Sequence, residues 1–226
     1  MANQGKQEQI IPQLIPIEKN NETRKNTVLT NVIKMLTARG LLDLSKQDKN
    51  IKYYTEMHSD ELLYKIELDN PEPYYAKDNK IMIIKLTHLK ISSMSKSSSV
   101  NEIINSYKNN PKIIIVTAIS DKLRYQIQFD QENYPNTEVF PEKELMINLI
   151  EHVTQPEFTL LQESDGAAIR KTYSATKTHM PKILLSDPIS YYYNAKINQA
   201  FRIIRPSEIS GLVPTYRLVV KGLIKE

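Results

Sequence analysis

A chain of 226 residues, 40% of them apolar, is long enough to bury a real core without staples, and its lack of cysteine excludes disulfides, thiolate zinc sites and cysteine nucleophiles together. Thirty Lys and Arg against 26 Asp and Glu leave a formal charge of +4 and a pI near 9.0, too mild in itself to claim nucleic acid as a partner. No run of about twenty apolar residues is present, so no membrane-spanning helix is expected, and the polar start MANQGKQEQ lacks the apolar region of a secretory signal.

Residues 1–20 hold Pro12 and Pro16 around IIPQLIPI and read as an extended tail with one apolar patch. A helix is predicted from about Glu22 to Arg39, with Val28, Val32, Ile33 and Leu36 on one face and Gly40 placed to end it. Leu41 and Leu42 then lead into a polar loop. Leu62, Tyr64, Ile66 and Leu68 alternate with Glu61, Leu63, Lys65 and Glu67 at the period of a half-buried strand, which Asp69-Asn70-Pro71 ends. Ile81 to Leu86 is a second strand, and Ser92 to Ser99 reads as a loop. Val100 to Lys108 is predicted helical with Ile103, Ile104 and Tyr107 inward. Ile113 to Ile119 is apolar on both faces and therefore central in a sheet. Ser120 or Asp121 caps a helix running to about Gln128, Val139-Phe140 is strand, and Leu145 to Ile150 is ambiguous between strand and helix. This strand–strand–helix–strand–helix order implies a three-layer α/β unit.

The last quarter is denser in signal. Lys182 to Leu185 has strand length. Asp187-Pro188 reads as a helix start, with Asp at N-cap and Pro at N1, and Ile189 to Ala195 makes at most two turns. Phe201 to Arg205 and Thr215 to Val220 read as strands, with Pro206, Ser207, Ser210, Gly211 and Pro214 supplying turn chemistry between them.

Across these residues the order Asp-Pro, Tyr, Lys, a two-isoleucine strand ending in Arg, Ser-Glu-x-x-Gly and Tyr-Arg closely resembles one family. It is the fifth subunit of eukaryotic-type DNA-directed RNA polymerases, whose C-terminal domain is like a small subunit of the archaeal polymerase. The matching positions are Pro181, Asp187, Pro188, Tyr192, Lys196, Ile203, Ile204, Arg205, Ser207, Glu208, Gly211, Tyr216 and Arg217. Asn148 to Leu161, with Glu151-His152 and Pro156, resembles the approach to that domain. Asn194 and Asn198 stand where the family has glycine, and Asn is the commonest substitute at positive φ. Ile197 replaces a basic residue, and Glu157 a second His. In the front half the resemblance rests on Arg39-Gly40 and on Glu144 to His152.

The resemblance implies an extension over 1–20, a three-layer, restriction-endonuclease-like jaw domain over 21–147, and a small β-α-β-α-β-β assembly domain over 148–226. It implies no catalytic residue, cofactor or metal in this chain. It implies docking on the largest polymerase subunit, beside other polymerase subunits, with His152, Pro156, Pro181, Asp187, Pro188, Lys196, Arg205, Ser207, Glu208, Gly211, Tyr216 and Arg217 as contacts. The jaw would lie near downstream duplex DNA, touching it weakly and without reading sequence. The divergent front half, the tail and an Ile/Lys/Asn-rich composition point to a large DNA virus. The compartment would then be host cytoplasm and virion, as against the nucleus for a cellular member.

An endonuclease-like fold raises the alternative of a free-standing DNA-binding protein or nuclease. A metal-dependent nuclease needs an Asp at a strand end and an acidic residue two before a Lys on the next strand. Asp69 and Lys85 fit the outer positions, but the residue between is Ile83, which binds no hard cation, and Asp78 precedes the strand. His58, His88, His152 and His179 are isolated along the sequence. Tyr191-Tyr192-Tyr193 could stack on bases, although on a two-turn helix at least one is expected in the core. Residues 170–226 carry ten Lys/Arg against three Asp/Glu, while the remainder carries 20 against 23. The basic end therefore suits either phosphate or an acidic protein surface, or is simply a solvated face. Arg205 and Arg217 are candidates for an ion pair with Glu208.

Overall fold

The computed structural model describes residues 20–57, 59, 62–72, 74–91, 99–130 and 132–222. The tail over 1–19, most of the Ser-rich stretch and His58 lie outside them.

Helix α1 (Asn21–Ala38) begins where the Asn20 side chain accepts a bond from Thr23 N–H at 2.7 Å, satisfying one of the orphan donors of a helix start. It stops at Gly40, whose φ of +76° suits glycine. Its buried stripe is Val28, Leu29, Val32, Ile33, Met35 and Leu36. The polar stretch that follows is not a loop throughout: a 3₁₀ turn over Leu44–Lys46 leads into α2 (Gln47–Glu56). No residue of α2 is fully buried; Ile51 and Tyr54 lean on the core. With so narrow an apolar stripe, periodicity gives no helix signal there.

Strands β1 (Leu63–Glu67), β2 (Ile81–Leu86), β4 (Lys112–Val116) and β6 (Thr137–Pro141) make the first sheet, in the order β1-β2-β4-β6. β1 is antiparallel to β2 and the rest are parallel. Every residue of β4 is buried, as expected of a central parallel strand. The apolar run does not continue to Ile119 as one strand. Thr117 turns its N–H to the Leu89 carbonyl, and Ala118–Ile119 (β5) pairs with Lys90–Ile91 (β3) in a separate two-stranded ribbon. Alternate β4 side chains serve two cores. Ile113 and Ile115 meet α1, while Ile114 and Val116 meet Val100 and Ile104 of α3 (Ser99–Ser106) and Leu123 and Ile127 of α4 (Asp121–Phe129). Ser120 is the α4 cap. After β6 comes a single turn, α5 (Glu142–Leu145), and 146–150 is turns, neither strand nor helix.

The second sheet contains β7 (Glu157–Leu161), β8 (Lys182–Leu184), β9 (Ala200–Ser207) and β10 (Gly211–Val220), in the order β7-β9-β10-β8. Helix α6 (Glu163–Thr172) covers one end of its outer face: a Cβ added at Gly166 would lie 3.4 Å from Ala200 Cβ. Helix α7 (Pro188–Tyr192) links β8 to β9. The chain is thus a mixed α/β protein with several sheets.

The β9–β10 hairpin is longer than the sequence implies, because Pro206 and Pro214 sit inside strands, opposite Leu212 and Ile204. Proline survives where a strand edge is open. β7 reaches only to Ile204 and β8 only to Leu218, so the outer part of the hairpin has no third strand.

Candidate functional site

The residues that carry the resemblance fall into three places. The first is the β8–α7 connection. Pro181 is exposed, and its carbonyl accepts from Leu218 N–H at 2.8 Å. Asp187 caps α7 by accepting from Ile189 N–H at 2.9 Å, and Pro188 takes the first helical position. The helix ends in Tyr191, Tyr192 and Tyr193, all three buried. Burial pushes the Tyr191 and Tyr193 hydroxyls up to about 12. Asn194 and Asn198 adopt φ of +46° and +74°, the conformation their place of glycine requires. Lys196 lies between them, its ammonium donating to Asn194 Oδ1 at 3.1 Å, and burial lowers its pKa.

The second place is the hairpin. Gly211 has φ +70° and pairs with Ser207, closing the turn over 208–210. Arg205, Glu208 and Gly211 are exposed. Among the described residues neither Arg205 nor Arg217 pairs with Glu208 within 4 Å. Tyr216 lies opposite Arg202 and meets the Tyr173 ring at 6.0 Å, whereas Arg217 lies opposite Phe201. Adjacent strand residues point to opposite faces, so Tyr216 and Arg217 do not share one. Two residues that sequence reasoning passed over stand out at the tip: Ile209 is 96% exposed and Leu212 is 72% exposed.

The third place is the approach to β7. His152 Nδ1 bonds Thr154 Oγ1 at 2.8 Å on the surface, and Pro156 is half-buried. Glu151 pairs with Lys34 of α1 at 2.9 Å.

Between the two sheets lies a charged cluster that no sequence signal exposed. Arg39, fully buried at the end of α1, grips both carboxylate oxygens of Glu138 on β6, at 2.9 and 2.7 Å. It also donates to the carbonyls of Tyr192 at 2.7 Å and Tyr191 at 3.1 Å. Tyr75 and Asn194 donate to the same Glu138 oxygen, at 2.8 and 3.0 Å. Burial works against the Arg39 charge, but the Glu138 carboxylate outweighs it and the net shift is upward. The Tyr75 hydroxyl is driven well above its ordinary range by burial first and by Glu138 second. Arg124 of α4 completes the junction, stacking 3.6 Å from the Tyr191 ring centroid and pairing with Glu144 at 2.6 Å. Only residue types, not partners 99 positions apart, are visible in the sequence.

Asp69 follows β1 and is engaged by the Lys46 ammonium and by Asp43 N–H. Ile83 is buried in β2, and Asp78 lies three residues before that strand. Among the described residues no three His, Cys, Asp or Glu converge as a metal site, and no helix is long and apolar enough to cross a membrane.

Residues 147–219 match the family described as RNA polymerase Rpb5, C-terminal domain. DNA-directed RNA polymerase subunit 5 of Acanthamoeba polyphaga mimivirus is 30% identical over 207 residues, covering 92% of this chain and 97% of that protein. The RPABC1 subunit of DNA-directed RNA polymerases I, II and III is 39% identical in Caenorhabditis elegans over 83 residues, 37% of this chain and 39% of that protein. In Dictyostelium discoideum the corresponding subunit is 33% identical over 93 residues, 41% of this chain and 47% of that protein. With one relative aligned almost end to end and the hairpin motif set in a matching C-terminal region, this chain belongs to the family of subunit 5 of DNA-directed RNA polymerases.

Proposed function

We propose that this chain is a non-catalytic structural subunit of a multisubunit DNA-directed RNA polymerase. It docks on the largest subunit through an assembly domain over 148–226 and holds a jaw domain over 21–147 near downstream duplex DNA, which the jaw touches weakly at the backbone. The observation that carries this reading is the hairpin. Its motif residues Arg205, Glu208 and Gly211 are exposed together with Ile209 and Leu212, and exposed large apolar groups rimmed by charge mark protein partners more often than nucleic acid. His152, Pro156, Pro181, Asp187, Pro188, Lys196, Ser207, Tyr216 and Arg217 would complete the contact. Asp187 and Pro188 act there through the backbone of α7 rather than by touching the partner. The relative aligned over 92% of this chain is viral, while the two cellular subunits align over 37% and 41% of it. That favours a virus-encoded polymerase, working in host cytoplasm and carried in the virion.

The test is affinity capture of the tagged full chain from cells making the cognate polymerase, with captured proteins identified by mass spectrometry. Capture of the largest subunit in stoichiometric amount is expected, and its loss in the Arg205→Glu and Leu212→Asp variants. A chain that captures no polymerase but holds duplex DNA with a steep salt dependence would be a free-standing DNA-binding protein instead.

A further inference from the structure

A small cavity of about 10 Å³ lies at the junction of the two sheets, where Arg124 of α4, Glu138 of β6 and Tyr191 of α7 all contribute to its lining. Arg124 is only 4% exposed and Tyr191 only 7%. The Arg124 guanidinium commits Nη1 to the Glu144 carboxylate at 2.6 Å. Its carbon lies 3.6 Å from the Tyr191 ring centroid and 5.0 Å from that of Phe140. Guanidinium hydrogens point outward in the plane of the group, so a ring against its face satisfies none of them. Nε and Nη2 are accordingly buried with no hydrogen-bond partner among the described residues, and so is the Tyr191 hydroxyl. Buried polar groups are rarely left unpaired, and a charged donor is the costliest to leave so.

Volume decides what can pair with them. A single water needs about 10–15 Å³, so the cavity is at the lower limit for one water and excludes phosphate, carboxylates and organic ligands. A halide ion is wider than water. Arg124 also already has its counter-ion in Glu144, and the lining includes a second acid, Glu138, so a further anion would meet no uncompensated positive charge. Water meets both conditions. Its lone pairs accept from the free edge of the guanidinium, and it exchanges a hydrogen bond with Tyr191. Burial holds the Tyr191 pKa up to about 12, so that hydroxyl is neutral and can both donate and accept. We propose that this cavity binds one ordered water molecule, held between Arg124 Nε or Nη2 and the Tyr191 hydroxyl, which links α4 to α7 across the junction of the two sheets. This stands independently of the role in polymerase.

Two measurements on the full chain test it. The first is the sign of a stability change. Tyr191→Phe keeps the ring against the guanidinium and removes only the hydroxyl. If the hydroxyl bonds a water, its loss should lower the melting temperature by about 2–4 °C. If the hydroxyl is unpaired, its removal relieves a buried polar group, and an unchanged or raised melting temperature would overturn the proposal. The second is a crystal structure of the parent chain, grown with sodium bromide, at a resolution that shows ordered waters. One peak is expected within hydrogen-bonding distance, about 2.5–3.2 Å, of both Arg124 Nε or Nη2 and Tyr191 Oη, with no anomalous signal from bromine. A site without density would overturn the proposal, and a bromine signal there would assign the cavity to an anion instead.

Discussion

Arg39 and Glu138 stand 99 residues apart and meet with two parallel bonds, at 2.9 and 2.7 Å, between the two sheets. The arginine is fully buried, and its Nε and Nη2 also donate to the Tyr192 and Tyr191 carbonyls, with Met35 Sδ 3.6 Å from Nη2. Removing one partner would leave a buried charge uncompensated, at a cost of about 3–5 kcal/mol. Arg39→Met should therefore lower the urea midpoint steeply. Arg39→Lys should recover little, since an ammonium cannot reproduce the fork. The double variant Arg39→Met, Glu138→Leu should be more stable than the sum of its parts, a coupling that a double-mutant cycle reads.

Asn194 and Asn198 share a backbone conformation and differ in what their side chains hold. Asn198 accepts only from the Lys177 ammonium at the surface, so Asn198→Gly should change stability by less than about 0.5 kcal/mol. Asn194 bonds Glu138 and Lys196, so Asn194→Gly should cost about 1–3 kcal/mol despite the easier φ. At either site Val should be worse than Gly. Thermal melts of the four variants check the order.

Lys112 gives a pH dependence. Its ammonium donates to the Asn110 and Pro135 carbonyls, at 3.0 and 2.8 Å, and burial lowers its pKa from 10.5 to about 8. The folded state then releases this proton before the unfolded chain does. Below about pH 8 the cost of the buried charge is constant. Between about 8 and 10.5 the unfolded chain binds more protons, and stability rises with pH. Burial lowers Lys196 as well, which adds to the rise. Above about pH 10 the trend reverses, because Tyr191 and Tyr193 are held up to about 12 in the folded state and ionise first when unfolded. Urea titrations across this range should show the rise in the parent chain and a flatter profile in Lys112→Met.

The hairpin tip should separate stability from docking. Ile209→Asp and Leu212→Asp alter residues 96% and 72% exposed, so each should leave the melting temperature within about 1–2 °C. Under the proposed function both should weaken capture of the largest subunit at least tenfold, read by titration of purified chain against polymerase lacking it. Weakened capture with lowered melting temperatures would mean that the tip is merely structural.

Local chemistry made much of this fold legible. The α1 stripe, the run Ile113-Ile114-Ile115-Val116, the Asp187 cap and the two asparagines at positive φ each state their conformation within a few residues. What stayed hidden is what neighbours decide. Helix α2 carries no periodic apolar face, because it lies on α1 through two half-buried side chains. Pro206 and Pro214 look like turn residues until the short reach of β7 and β8 leaves their strand edges open. The motif residues of the C-terminal region could be named from the sequence, but not that they divide among three places, nor that Ile209 and Leu212 stand exposed beside them. The Arg39 cluster is set by pairings across the whole chain, which no window of sequence contains.

The main apolar interior runs unbroken from Val28 and Met35 on α1, through Ile84 and Ile113, to Tyr192, Phe201, Ile203 and Val219. Cutting the chain near residue 147 would therefore not release two self-sufficient pieces; each would carry one wall of a shared interior into water.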